Sequence, residues 1–276
     1  MELLLIFIIL GIGLAIFLFL IVMLVLRSMH DYNVPLQSKE KLFGTYANQK
    51  DSFEESEKKI KVLFIFPHPD DEVMMAGGLI CQLAKDSRYF VEVISVTAGQ
   101  HGTELLQLSP EKLGNLRKQE FANAMSKLCV KNSAVWNFTD GKVQEQLLQL
   151  KEKLASYFYT MRPDFVVTYE RWGIYGHPDH IALSKLVADL TTQQRFKRIT
   201  PLYSTLPNKI LTRLKLPLHM ARNPRRIDQA NPEIRINNFV FAWKKAHAAS
   251  FFKSQKLPKF MKNFVGNAYE YYTFKY

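Results

Sequence analysis

The chain has 276 residues, of which 47% are apolar and 22% charged, and a formal net charge of +12. This composition excludes a disordered protein, and the length suits a membrane anchor with one sizeable domain better than two soluble domains. The charge is uneven: from position 195 onward there are 17 Lys+Arg against 3 Asp+Glu, a balance of +14, while the remainder carries 20 against 22, or −2. A basic C-terminal third suits anionic lipid headgroups or an acidic substrate, and equally a solvated face. No nucleic-acid motif accompanies it, so no nucleic acid is expected as a partner. The two cysteines, Cys81 and Cys129, fall in segments that read as helices and are expected to be buried thiols in a reducing compartment.

Leu3 to Leu26 is a run of 24 residues without a charge. As a helix it spans roughly 36 Å, enough for a hydrocarbon core of about 30 Å. It lacks a basic leading region and a small-x-small cleavage site, so it reads as a retained transmembrane anchor over 1–26 rather than a signal peptide. Arg27, Lys39 and Lys41 follow it, which places a single-pass protein with its domain on the cytoplasmic side. The sequon Asn137-Phe138-Thr139 would then go unused. Residues 27–59 are polar and read as a tether, followed by one domain over 60–276.

From Ile60 the pattern alternates. Ile60 to Phe66 is a β-branched and aromatic run stopped by Pro67, as in a buried strand. A helix follows from Asp71 to Lys85, in which Gly77-Gly78 points to close packing, expected against the sheet. Phe90 to Thr97 reads as a second strand. Ser109-Pro110-Glu111 is a helix start, with a hydroxyl cap, Pro in the first turn and then an acid, and the helix runs to about Leu128. Val135–Phe138 and Asp164–Tyr169 read as strands, with helices over Val143–Met161 and Pro178–Thr192. This alternation predicts an α/β, Rossmann-like, mostly parallel sheet with helices on both faces. Beyond Arg195 the pattern weakens, with a helix expected from Phe239 to Gln255. Phe251, Phe252, Phe260 and Phe264 alternate with lysines there, as on a core-facing helix.

Two segments stand out: His68-Pro69-Asp70-Asp71-Glu72 and His177-Pro178-Asp179-His180. Each follows a strand and opens a helix, so both belong at the carboxyl edge of the sheet, where open parallel sheets form their ligand crevice. Imidazole with carboxylate favours zinc, and a catalytic zinc takes three protein ligands plus water. His68 and Asp71 are three apart across a strand-to-helix turn, close enough to share an ion with a third ligand from the second segment. Either segment alone is a common helix cap; the two together point to a metal site.

Phe66-Pro67-His68-Pro69-Asp70-Asp71-Glu72 with Tyr175-Gly176-His177-Pro178-Asp179-His180 resembles the PIG-L/LmbE-like family of zinc-dependent N-deacetylases. The resemblance covers about Ile60 to Thr192 and includes the loop Thr97-Ala-Gly-Gln-His-Gly102 with Arg117 and Glu120 after it. It implies His68, Asp71 and His180 as ligands of Zn2+ (or Fe2+) and Asp70 as general base. His177 and Tyr175 would assist the oxyanion or leaving group, Arg117 would help hold substrate, and Glu72 would support the helix start. His101, in the loop after the second strand, and Trp172, beside the second segment, are candidate substrate contacts; His30, His219 and His247 have no ligand-like setting. The implied substrate is an N-acetylglucosamine conjugate or glycolipid. An anchor with a basic face resembles the eukaryotic branch acting on N-acetylglucosaminyl-phosphatidylinositol. Pro178-Asp179 between the second-segment histidines is closer to bacterial members acting on small conjugates, and Pro67 departs from the alanine common before the first histidine. A lipid-binding module on an inactive hydrolase scaffold is the alternative.

Overall fold

The computed structural model of the chain describes residues 7, 11–19, 33–47, 59–102, 107–211, 232–255 and 269–276. A short strand β1 (Leu36–Gln37) and helix α1 (Lys39–Ala47) precede the alternating core. The core runs β2 (Ile60–Phe66), α2 (Asp71–Ala84), β3 (Tyr89–Thr97), α3 (Pro110–Lys127), β4 (Asn132–Phe138), α4 (Leu147–Met161), β5 (Phe165–Tyr169) and α5 (Pro178–Thr191). It continues through β6 (Thr200–Thr205), β7 (Ile234–Asn237), α6 (Ala242–Ala249) and β8 (Tyr269–Thr273).

The eight strands form one sheet in the order β1-β7-β8-β6-β5-β2-β3-β4. It is mostly parallel, as expected, but β8 runs antiparallel to both β6 and β7, which makes the sheet mixed. Alternation along β2 feeds two cores. Val62, Phe64 and Phe66 face a layer containing α1, α2 and part of α3, and Leu63 and Ile65 face α4 and α5. From β2 the chain steps outward to β3 and β4, then returns to pair β5 on the other side of β2. That reversal puts the carboxyl ends of β2 and β5 side by side, at the topological switch point where α/β sheets bind ligands.

Several expectations need correction. The run over 3–26 lies mostly outside the described residues; 11–19 within it are helical and exposed. Among the described residues no helix is long and apolar enough to cross a membrane. The transmembrane anchor and the single-pass, cytoplasm-facing placement are therefore withdrawn, and the membrane and anionic-lipid partners lose the support they drew from them. The stretch read as a tether contributes β1, which pairs with β7, and α1, whose Phe43 is fully buried edge-on to Tyr89 and Phe165. Gly77-Gly78 is close-packed against C-terminal elements: a Cβ on Gly78 would collide with Asn238, and one on Gly77 would lie 3.1 Å from Lys245. Their neighbourhood is polar, because the Glu270 carboxylate accepts the backbone N–H groups of Gly78 and Leu79 at 2.8 and 3.0 Å and the buried Lys245 ammonium at 2.8 Å.

Helix α4 begins at Leu147 rather than Val143, since the Val143 N–H is taken by the Asp179 carboxylate at 3.1 Å and the chain turns there. The helix expected over Phe239–Gln255 ends at Ala249. Beyond it the Ser254 N–H and hydroxyl bind Glu120 at 2.8 and 2.5 Å, which pulls the segment off the helical path. Phe252 is buried as a core residue; Phe260, Phe264, His30 and His219 lie outside the described residues.

If α1 is an integral layer of the domain, Phe43→Ala should destabilise it by about 3–5 kcal/mol, read as a lower denaturant midpoint at unchanged slope. A change under about 0.5 kcal/mol would return the segment to the status of a tether.

Candidate metal centre

The loop after β2 carries His68 to Asp71. The one after β5 passes through a short kinked turn at Gly173–Gly176 to His177 and His180. Pro178 starts α5 and the His177 side chain caps it, accepting the Asp179 N–H at 3.2 Å through Nδ1. His180 therefore lies one turn into α5, on the side facing β2. Gly173, at φ +58°, is required here, because a Cβ would collide with that of His180.

His68 Nδ1, His180 Nε2 and Asp71 Oδ2 form a triangle with edges of 3.3, 3.5 and 3.3 Å. Ligand atoms on a tetrahedral zinc at about 2.0–2.1 Å are about 3.3–3.4 Å apart. The surrounding hydrogen bonds fix which ring nitrogens face this point. His68 Nε2 lies 3.1 Å from Asp140 Oδ1 and 3.2 Å from Asp179 Oδ2, and so carries the ring proton. His180 Nδ1 faces the Gly173 carbonyl at 3.2 Å and donates to it. Two imidazole lone pairs and a carboxylate thus converge, an arrangement that demands a positive charge between them, whether a proton or a metal cation. The donor set fits a divalent cation.

Titration behaviour agrees. Burial opposes charge on His68, but Asp140, Asp179 and Asp71 raise its pKa well above the ordinary value. Burial also opposes the Asp71 charge, yet His180, His68 and the Tyr169 hydroxyl hold its carboxyl well below the usual range. His180 and His177 are lowered to about 3 and about 4, mainly by burial, so both are neutral. With its Nδ1 accepting from backbone, neutral His177 presents Nε2–H as a donor. Its ring centre lies 4.8 Å from that of His68 and 4.7 Å from that of His180, and its ligand atoms lie near enough to group with theirs.

Asp70 stands at the mouth of α2 with φ 117° and ψ −32°, outside the regions open to L-residues. Burial raises its pKa to about 7; Arg117 opposes the rise and Asp71 adds to it. Glu72 accepts the Asp70 N–H at 3.2 Å, as a support of the helix start, and burial raises its carboxyl well above the ordinary range.

Other candidates fall into two groups. Tyr175 packs edge-on to His180 with ring centres 5.4 Å apart, its hydroxyl kept protonated by burial and by nearby carboxylates. Arg117 is brought in but buried: it donates to the Gly99 and Pro69 carbonyls at 2.6 and 2.7 Å and from Nε to the Gln255 side-chain oxygen at 2.9 Å. These bonds make it a clamp on the loop that carries Asp70. His101 is exposed, held by Asp140 through its N–H at 2.9 Å, and half-buried Trp172 lies under the Arg171 guanidinium at 5.0 Å.

Sequence reasoning missed Asp140 and Tyr169. Asp140 follows β4 in Thr139-Asp140-Gly141, at the same sheet edge as both motifs, and that position was the available signal. Tyr169 ends β5, donates to Asp71 Oδ1 at 2.6 Å and stacks on His180 with ring centres 4.1 Å apart. Nothing in its local sequence marks it. The inactive-scaffold alternative finds no support, since the ligand-type atoms meet within 3.5 Å.

Residues 63–191 match the family model described as PIG-L: GlcNAc-PI de-N-acetylase. A 1D-myo-inositol 2-acetamido-2-deoxy-alpha-D-glucopyranoside deacetylase of Saccharomonospora viridis is 29% identical over 55% of the chain and 64% of its own length. A probable N-acetyl-alpha-D-glucosaminyl L-malate deacetylase of Bacillus cereus is 30% identical over 46% of the chain and 58% of its own. The chain spans about half the length of the curated relatives it matches. Among solved structures, the N,N'-diacetylchitobiose deacetylase of Pyrococcus horikoshii has a TM-score of 0.58 at 21% identity, covering 86% of this chain and 93% of that one, a likeness of fold.

Because Asp140 orients His68 through Nε2, Asp140→Asn should weaken binding of a divalent ion by about 10–100-fold without unfolding the protein. Competition against a chromophoric chelator measures this; unchanged affinity would confine Asp140 to holding the His101 loop.

Proposed function

We propose that this chain, whose residues 63–191 match the PIG-L family model, is a metal-dependent N-deacetylase that cleaves the acetamide of a small N-acetylglucosamine conjugate. The observation that carries this reading is the convergence of two imidazole lone pairs and the Asp71 carboxylate, with a second carboxylate, Asp70, near enough to interact electrostatically with Asp71 and His68. His68, Asp71 and His180 would hold zinc, or iron(II) in its place. A bound ion would polarise the acetamide carbonyl and bring the pKa of a water towards about 7.

The remaining work belongs to side chains. Asp70 takes the proton of the attacking water; its raised pKa suits a base near neutrality, and a nearby dication would bring it down. Neutral His177 donates through Nε2–H, and the Tyr175 hydroxyl adds a second donor, to the oxygen that gains charge as the carbonyl becomes tetrahedral. Asp70 then returns its proton to the departing amine, leaving acetate and an amino sugar. Asp140 and Asp179 keep the His68 ring in place. Arg117 holds the Pro69 carbonyl, and with it the Asp70 backbone, leaving His101 and Trp172 as the sugar-facing candidates nearer solvent.

The curated relatives favour a polar aglycone: one is named for an inositol conjugate and the other for a malate conjugate. The test is amine release from inositol-, malate- and lipid-linked N-acetylglucosamine by the metal-loaded protein. Release from at least one of the first two, abolished by chelator, is expected; none from any member ends the reading. Asp70→Asn should keep its metal and lose about 10²–10⁴-fold in kcat, whereas Asp71→Ala and His180→Ala should lose metal and turnover together.

A further inference from the structure

Away from the metal centre, three chain-distant side chains meet where α6 packs across α2 and α3. Cys81 lies on α2 and is fully buried. Cys129 follows α3 directly and is half-buried. Lys244, on α6, donates from Nζ to the Cys129 sulfur at 3.3 Å. The same ammonium sits 5.6 Å from the Trp243 ring centre, while Lys127 covers that ring at 5.1 Å, so the half-buried thiol lies in a locally basic setting. Cys129 and Lys244 are both among the neighbours whose charge acts on the Cys81 thiol.

Backbone geometry supplies a second, independent observation. The end of α3 is a Schellman turn: Cys129 N–H bonds Ser126 O and Val130 N–H bonds Met125 O, each at 3.0 Å. Its left-handed position, usually glycine, is occupied by Cys129 at φ +66°. A residue with a Cβ costs roughly 1–2 kcal/mol there. Glycine would make the same turn without strain, so the turn does not account for a thiol.

We propose that Cys81 and Cys129 form an oxidisable dithiol, a modification site for hydroperoxides that closes to an intramolecular disulfide. Cys129 is the entry point because it is the half-exposed thiol and the one held by an ammonium. Its thiolate attacks one oxygen of hydrogen peroxide, the O–O bond breaks, and sulfenic acid and hydroxide result. The Cys81 sulfur then displaces the hydroxyl of the sulfenic acid, forming the S–S bond and releasing water. Two electrons pass from the two sulfurs to the peroxide. Burial keeps Cys81 protonated, with a pKa pushed up to about 11, which suits a resolving thiol and not the first target. The bond would tie α2 to the end of α3. The site shares no residue with the metal centre, so it stands or falls apart from the deacetylase reading.

The experiment uses the full reduced chain, exposed to near-stoichiometric hydrogen peroxide, denatured with N-ethylmaleimide and weighed intact. The expected product carries no maleimide and is lighter by two hydrogens, with a Cys81–Cys129 linkage in the peptide map. Cys81→Ser should stop at a sulfenic acid trapped by dimedone on Cys129, and Cys129→Ser should leave Cys81 alkylatable. Lys244→Met should slow the reaction roughly three- to tenfold at unchanged thermal stability. Two maleimides on the peroxide-treated native chain, or disulfides only between chains, would overturn the proposal; it needs no variant to fail.

Discussion

A buried point that must be positive organises this protein. His68 Nδ1, His180 Nε2 and Asp71 Oδ2 are aimed at it from two loops more than a hundred residues apart, and none can turn away without breaking another bond. Rotating His68 would break its contacts with Asp140 and Asp179, and rotating His180 would break its bond to the Gly173 carbonyl and its stacking on Tyr169. Asp71 is fixed by the Tyr169 hydroxyl on one oxygen and the His68 N–H on the other. The ring orientations are thereby set before any ligand arrives, which is what preorganisation at a metal site requires.

Sheet topology makes this convergence possible, and the C-terminal third keeps it in register. Reversal of strand order between β2 and β5 brings the two motif loops together. Elements beyond the family-matched stretch then brace α2 and α3 from outside. Glu270 on β8 reaches the middle of α2, and the segment after α6 binds Glu120 through Ser254 and Arg117 through Gln255. Arg117 in turn holds the carbonyl of Pro69, one residue before Asp70. A residue expected to touch substrate thus proves to be tied to backbone, and the chain's last third reaches the site through it.

The stretch from Ile60 to Thr191 was legible because its signals are local. Buried parallel strands are short β-branched runs, and Ser109 with Pro110 marks a helix start within one residue. The two motifs meet for the same reason, since strand ends and helix starts share an edge. What was not legible depends on tertiary partners. Strands β6, β7 and β8 lie in a region whose polar residues, Arg235 and Glu270 among them, are buried by contacts formed only in the fold. The polar stretch before Ile60 read as a tether because the one residue that docks it most firmly, Phe43, has no periodic apolar company. Tyr169 looks like any strand aromatic until Asp71 is found against it.

Asp70 ties local strain to chemistry. Its positive φ costs of order 1–3 kcal/mol and must be held by its surroundings. Glu72 takes its N–H, Arg117 restrains the preceding carbonyl, and Asp71 on its other side is locked twice. The Arg117 guanidinium lies 3.7 Å from the Asp70 carboxylate, too far for a tight ion pair. Such a pair would depress the carboxyl and occupy the oxygen a base needs. The guanidinium instead keeps short bonds to the Gly99 and Pro69 carbonyls, and Glu72, whose carboxyl burial pushes well above its ordinary range, supports the turn. The proposed base is thus a carboxylate carried on a strained backbone next to Asp71, with the Arg117 guanidinium engaged by carbonyls rather than by it.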